Sequence, residues 1–444
     1  MPSTKQRILG WYAFDWASQP YHTLILTFIF GPYFVKVVGD PVAAQTLWAQ
    51  ALTVAGVATA LLAPVLGALG DQSGHLVRWV GWLSAVYVTA SAALWLAVPG
   101  TAHVLPVLMA FGAGLVATEL AIVVTNAFLP GLAPREETGR LSGTGYAIGY
   151  AGGLIALVLM LLFFAEGENG RTLLGLAPPF GLDPAAFEGT RVVGPFCALW
   201  FAVSMIPFFA WVKDPVRDAP DLALAEAARR AARDIRRMWG RALGRRSLVA
   251  FLLSSMFYRD ALVGLYGFGG LYAKGVLGWS VREIGVFGIL GVVTAMLACW
   301  AGGKLETGRG GPRRVIAIAI AALVAVSSVL VGLTRDSLFG IALPPGSALP
   351  DALFFVAGGV IGAAGGILQS ASRSMMVRHA DPAHPGEAFG LYALTGKATA
   401  FLAPFLIGMA TLATDDQRMG LFPLIFLFLM GLCLLVWVKR DGDI

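Results

Sequence analysis

The stretch Ser247–Lys274 reads SLVAFLLSSMFYRDALVGLYGFGGLYAK. It is almost wholly apolar and long enough to cross a bilayer, which takes about 20 such residues. Arg259 and Asp260 nevertheless stand side by side near its middle. An ionised side chain there costs roughly 2.5–3.5 kcal/mol by insertion scales, so it normally faces a polar interior. Adjacent helical residues point about 100° apart, so the two do not face each other and each needs its own partner. Two readings follow: buried ion pairs that hold a helix bundle together, or a helix that lines a substrate path.

Composition places this helix among many. Of 444 residues, 57 % are hydrophobic and 13 % charged, about half the charged share of a soluble domain. Apolar runs of about 20 residues recur along the whole chain, twelve in all, from Leu9–Val38 to Gly420–Val438. The expected fold class is therefore an all-α polytopic membrane protein. The start, MPSTKQRILG, has no apolar core followed by a small-residue cleavage site, so the first run reads as a true span. Cys197, Cys299 and Cys433 each fall in a different apolar run, which suggests neither a disulfide frame nor a metal site, and no cofactor is expected.

The net charge of +6 is explained by where the basic residues lie. With both termini on the cytoplasmic side, that side carries 23 of the 32 Lys and Arg and the opposite side seven. Arg259 and Lys397 stay inside the membrane. This asymmetry is the positive-inside rule, and it makes a nucleic-acid partner unnecessary. Residues 1–212 and 247–444 form two six-span halves around a basic stretch, 213–246. In that stretch Leu224, Ala228, Ala231, Ile235, Met238 and Trp239 recur at helical spacing among arginines, as in a helix lying on anionic lipid, with a solvated linker as the alternative. Glu166–Arg191, rich in Gly, Pro and acids, reads as an exposed loop on the other side.

The halves echo each other weakly. GALGDQSGH at Gly67–His75 leaves the second span, and GKLETGRGG at Gly303–Gly311 leaves the eighth. Internal repeats of this kind build many secondary transporters. Gly67, Leu69, Asp71 and Gly74, with Arg78 beyond, resemble the cytoplasmic loop motif of the major facilitator superfamily, in which the acid helps lock one gate state. Gln72 and His75 stand where basic residues are usual, and Thr307 replaces the acid in the second copy.

A narrower resemblance rests on FDWASQPY at Phe14–Tyr21, NAFLP at Asn126–Pro130, GYAIGYAGG at Gly145–Gly153, YRD at Tyr258–Asp260, FGGLYAKGVLGWS at Phe268–Ser280, QSASRSMM at Gln369–Met376 and FGLYALTGKATAFLAP at Phe389–Pro404. Together these resemble the autophagy-related vacuolar amino-acid effluxer family and its bacterial relatives. Ala261 departs from the pattern, where glycine is expected after the acid. The resemblance implies the major facilitator fold, transport of amino acids or related small solutes by alternating access, and a monomer in a bacterial inner membrane.

The intramembrane polar residues supply the candidate site. Glu119, within VATELAIVV, has no basic residue within one turn. A midplane carboxylate that can take a proton is what a proton-coupled carrier needs, and a protonated structural Glu is the alternative. Asp15 lies about two turns into the first span and suits either a gate or proton site or the positive end of the helix. His22, two turns further, is the residue type that titrates near neutral pH. By the superfamily arrangement Asp260 and Lys397 form a structural ion pair. Arg259 is then left to grip a substrate carboxylate in a bidentate fork. The reverse assignment leaves Asp260 free and pairs Arg259 with Glu119, and either Glu119 or Asp260 is expected to carry the coupling proton. His22, Asn126, Tyr258, Tyr266, Gln369, Trp11 and Trp16 complete the set as substrate-lining candidates.

Other classes fit less well. A sugar– or lipid–cation symporter of related fold would favour an acid in the second span, which has none before Asp71. No nucleophile–base pair, zinc-type spacing or phosphate-binding glycine loop points to an enzyme. A membrane ligand sensor that does not transport is also consistent with the sequence.

Overall fold

A computed structural model describes residues 2–101, 103–167, 169–214, 240, 244–279, 281–306 and 311–443. The amphipathic segment expected within 213–246 lies mostly outside these residues, as does Thr307. Eleven helices are long and apolar enough to span a membrane, and a twelfth span is a bent pair. In order they are α1 (Thr4–Phe28 with Phe30–Val38), α2 (Ala43–Ser73), α3 (Leu76–Leu96), α4 (Val104–Gly131), α5 (Thr138–Phe164) and α6 (Glu188–Trp211). The second set is α7 (Arg246–Gly267, continuing as helix to Leu277), α8 (Glu283–Leu305), α9 (Gly311–Val331), α10 (Leu349–His379), α11 (Pro385–Thr414) and α12 (Gln417–Trp437). The only strands among the described residues form a small antiparallel hairpin between α9 and α10, β1 (Ser337–Leu338) and β2 (Ile341–Ala342).

The chain forms two compact units, one of Met1–Leu132 with Ile148–Ala231 and one of Ala133–Ala147 with Ala232–Ile444. In the first, α3 packs between α4 and α6, and α2 lies on α4. Its core is aromatic: Tyr21 packs on Tyr87, and Tyr87 stacks on Phe201. The Tyr21 hydroxyl, fully buried, donates to the Phe111 carbonyl at 2.6 Å, which removes its desolvation cost. In the second unit α10 packs on α8 and α9, and α7 on α12 and α11.

Two sequence motifs explain themselves in helix packing. Gly149, Gly152 and Gly153 of GYAIGYAGG line the side of α5 that meets α1. A methyl built on Gly152 would stand 2.7 Å from the Trp16 carbonyl, and one on Gly153 would strike Gln19 and Thr23. Small residues let two helix backbones approach closely in a membrane, where there is little hydrophobic force between helices. FDWASQPY supplies the other surface and also breaks α1. Pro20 lacks an N–H and crowds the preceding turn; it is followed by a π-helical segment, Tyr21–Phe28, and a 46° bend at Ile29.

Candidate functional site

In the first unit the α1 break presents His22, and α4 presents Glu119. The imidazole Nε2 stands 3.6 Å from the Glu119 carboxylate, and both side chains are about one-quarter exposed or less. Glu119 is therefore not the isolated acid its own helix suggested; its partner comes from another span. Asp15 is half-buried and its backbone lies against Gly149, on the α1 face that meets α5. Asn126 is buried at the end of the α-helical part of α4, beside Thr125, whose carbonyl accepts from the Trp11 indole at 2.9 Å. Trp11 is a buried packing residue rather than a lining one, and Trp16 stacks on Trp200.

The second unit is organised by α11, which breaks between Ala398 and Leu402. Pro404 cannot donate to the carbonyl four residues earlier, so the ladder fails at this point. Asp260 of α7 serves the break: its Oδ2 accepts from the Ala403 N–H at 3.2 Å. Asp260 is 2 % exposed, and its other oxygen has no hydrogen-bond partner among the described residues. The carboxylate thus sits at the positive end of a half-helix, in place of the expected bridge to Lys397.

Arg259 points elsewhere, as adjacent helical residues must. It is half-buried, donates to the Tyr392 carbonyl at 2.9 Å and lies 4.3 Å over the Tyr392 ring. The bare backbone of Gly396 makes room for it; a methyl there would overlap the guanidinium carbon. The arginine expected to grip substrate thus has its Nη1 engaged by α11, a contact that orients the guanidinium. Tyr258 is corrected outright. It is wholly buried, and its hydroxyl is 2.7 Å from Ser372 Oγ, so it is a core residue and not a lining one. Gln369 is half-buried on α10, and Tyr266 is exposed, with its hydroxyl against Gly365.

Around the repeated motif, Asp71 is buried at the end of α2, Gly74 takes the left-handed conformation that ends the helix, and Arg78 is exposed. α3 begins with an N-cap from a distant residue: Asp214 accepts from the Val77 N–H at 2.7 Å. In the second copy the acid has moved by one position rather than vanished. Glu306, next to Thr307, is 3 % exposed and lies against Gly139 at the start of α5. Neither of its oxygens has a hydrogen-bond partner among the described residues. Burial pushes its pKa up to about 7, opposed by nearby Ser374, Arg378 and Arg373. Arg373, also buried, fixes the same first turns of α5: its Nε donates to Ser142 Oγ at 2.8 Å and its Nη2 to the Ser142 carbonyl at 2.7 Å, with the guanidinium 4.2 Å over Tyr146. The signal for Glu306 was in the sequence, as an acid inside a glycine-rich exit from α8.

The model of one protein family, described as vacuole effluxer Atg22 like, matches residues 32–442. The chain belongs to that family. The MFS-type transporter YxiO of Bacillus subtilis (strain 168) is 23 % identical over 442 residues, 97 % of this chain and 94 % of its own length. Autophagy-related protein 22 of Cryptococcus neoformans is 26 % identical over 306 residues, 66 % of this chain and 50 % of that protein, so the chain spans about half the length of this fungal relative. Two solved structures share the fold over nearly the whole chain. The human organic anion transporter MFSD10 superposes with a TM-score of 0.68 at 16 % identity, covering 98 % of this chain and 100 % of that one. The proton:xylose symporter XylE does so with 0.70 at 12 %, covering 99 % and 96 %. This Atg22-like chain is thus a multi-pass membrane transporter of the major facilitator superfamily, not an enzyme.

Proposed function

We propose that this chain is a proton-coupled carrier of amino acids or related carboxylate-bearing solutes, working by alternating access. The observation that carries the substrate class is Arg259, a guanidinium in the middle of a span, half-buried and oriented by Tyr392 and Gly396. A membrane-embedded cation is costly and is kept where it meets an anion or a water-filled path. Guanidinium geometry matches a carboxylate fork. The family description as effluxer supports a solute carrier.

For the proton we assign the His22–Glu119 pair. An imidazole 3.6 Å from a carboxylate in one bundle can hold one proton between two groups and release it as the surroundings change. The distribution of Lys and Arg supports cytoplasmic termini and, with the Bacillus relative, a place in a bacterial inner membrane. The test is charge movement by purified protein in liposomes on a solid-supported membrane, against an amino-acid panel at two pH values. A substrate-dependent current that disappears in Arg259→Ala supports the reading. A current equal in the variant overturns the role of Arg259, and counterflow of a radiolabelled amino acid that is absent from the wild type overturns the substrate class.

A further inference from the structure

The loop after α5 is not a simple solvated connection. Its tip carries Leu173, Leu174, Leu176 and Phe180, which are 73 %, 51 %, 54 % and 90 % exposed. Four large apolar side chains on one short loop are unusual for a surface in water. Their depth is fixed by a backbone bond: the Leu173 N–H donates to the Leu161 carbonyl at 3.1 Å. Leu161 belongs to the π-helical last turn of α5, Met160–Phe164, so the tip is tethered about one turn inside the end of a membrane span. The Phe180 ring faces that of Phe164 at an interplanar angle of 29°, with centroids 6.4 Å apart.

Part of the loop's backbone is paired within the loop itself. Thr172 N–H donates to the Leu176 carbonyl at 2.9 Å, Gly175 N–H to the Thr172 carbonyl at 2.8 Å, and Gly167 N–H to the Arg171 carbonyl at 2.9 Å. Arg171 Nη1 caps the Gly175 carbonyl at 2.7 Å. Pairing within the loop lowers the cost of bringing polar backbone near acyl chains, and here the turns and one side chain pair the Gly167, Thr172 and Gly175 N–H groups and the Arg171, Thr172, Gly175 and Leu176 carbonyls. The exposed tip continues the exposed apolar face of α5 itself, formed by Ile155, Val158 and Phe163.

We propose that Arg171–Phe180 is a membrane-dipping wedge, its leucines and Phe180 inserted among lipid acyl chains of the leaflet away from the termini, with Arg171 at the headgroup level. A long basic side chain flanking apolar residues suits that boundary. The experiment uses the full chain in proteoliposomes, with Cys433→Ser removing the exposed native thiol and Cys197 and Cys299 left buried. An environment-sensitive NBD label is placed at Leu174→Cys, at Leu176→Cys as a second reporter, and at exposed Glu136→Cys as a water-facing control.

The expected result is blue-shifted emission at both loop positions, quenched several-fold by lipid carrying a shallow acyl-chain spin label and little by aqueous iodide, with the reverse at 136. Iodide quenching like that of the control, without lipid quenching, would overturn the wedge and place the loop in water. Protection from both quenchers would also overturn it and point to a protein partner covering the loop.

Discussion

Asp260 on α7 holds the N-terminal end of the second half of α11 through the Ala403 N–H. One acid thereby supports the point where a membrane helix is discontinuous, and broken helices in transporters are where backbone becomes available to ligands. Asp260→Asn keeps an acceptor oxygen in the same place, so it is expected to denature in detergent within a degree or two of the wild type and to retain pH-driven uptake. Asp260→Ala loses the cap, worth about 0.5–2 kcal/mol in other helices, and should melt lower. Uptake that loses its pH dependence in a well-folded Asp260→Asn protein would move the coupling proton from α4 to α7.

The His22–Glu119 contact makes a different forecast. Glu119→Gln preserves the side-chain shape and removes the charge that His22 meets. Downhill exchange of labelled substrate should continue near the wild-type rate, while accumulation driven by a pH gradient should fall at least tenfold. His22→Gln should give the same separation of exchange from accumulation. If accumulation survives both changes, the pair is structural.

Much of this is legible in the sequence, because the bilayer imposes length and hydropathy on every span. Twelve runs became twelve spans for that reason, and the same physics made Arg259 and Asp260 conspicuous. The partners were not legible. His22 and Glu119 are far apart in the chain, and only the break after Pro20 turns His22 toward α4. The Asp260–Lys397 pair expected from the superfamily arrangement gives way to the unsatisfied backbone that the break near Pro404 creates, which takes the Asp260 carboxylate instead. Tyr258 looked like a lining residue because of its neighbour Arg259, yet the helical turn between adjacent positions sends it into the core against Ser372. Glu306 is hidden in the repeat because its acid is offset by one position from Asp71, with Thr307 at the matching place.

Gly396 has a role that its sequence context alone hides. Any side chain there occupies the volume of the Arg259 guanidinium, so Gly396→Ala must displace the arginine or α11. Overpacking of this kind costs about 1–3 kcal/mol. The variant is expected to insert and elute as the wild type does, with substrate affinity weakened tenfold or more, much as in Arg259→Ala. The double variant should be no worse than Arg259→Ala alone, since both changes act on one group. Additive losses would separate the glycine from the arginine.

Glu306 sets a pH dependence of stability. Its pKa lies near 7 in the folded protein, raised by burial from an ordinary value of 4.5. Between those values the folded chain holds a proton that the unfolded chain has released, so stability falls as pH rises through this window and is fully present below it. The shift corresponds to at most about 3 kcal/mol. Among the described residues the groups facing Glu306 are Arg373, Arg378 and Ser374 of α10 and the first turn of α5, where Arg140 is engaged by Glu137 at 2.9 Å. Glu306→Gln mimics the protonated acid and removes the titration. The apparent melting temperature of the wild type in detergent should therefore drop more between pH 5 and pH 8 than that of the variant, and the two should converge at the acid end. Parallel profiles would show that Glu306 is already ionised in the folded chain, with Arg373 or Arg378 as its counter-ion.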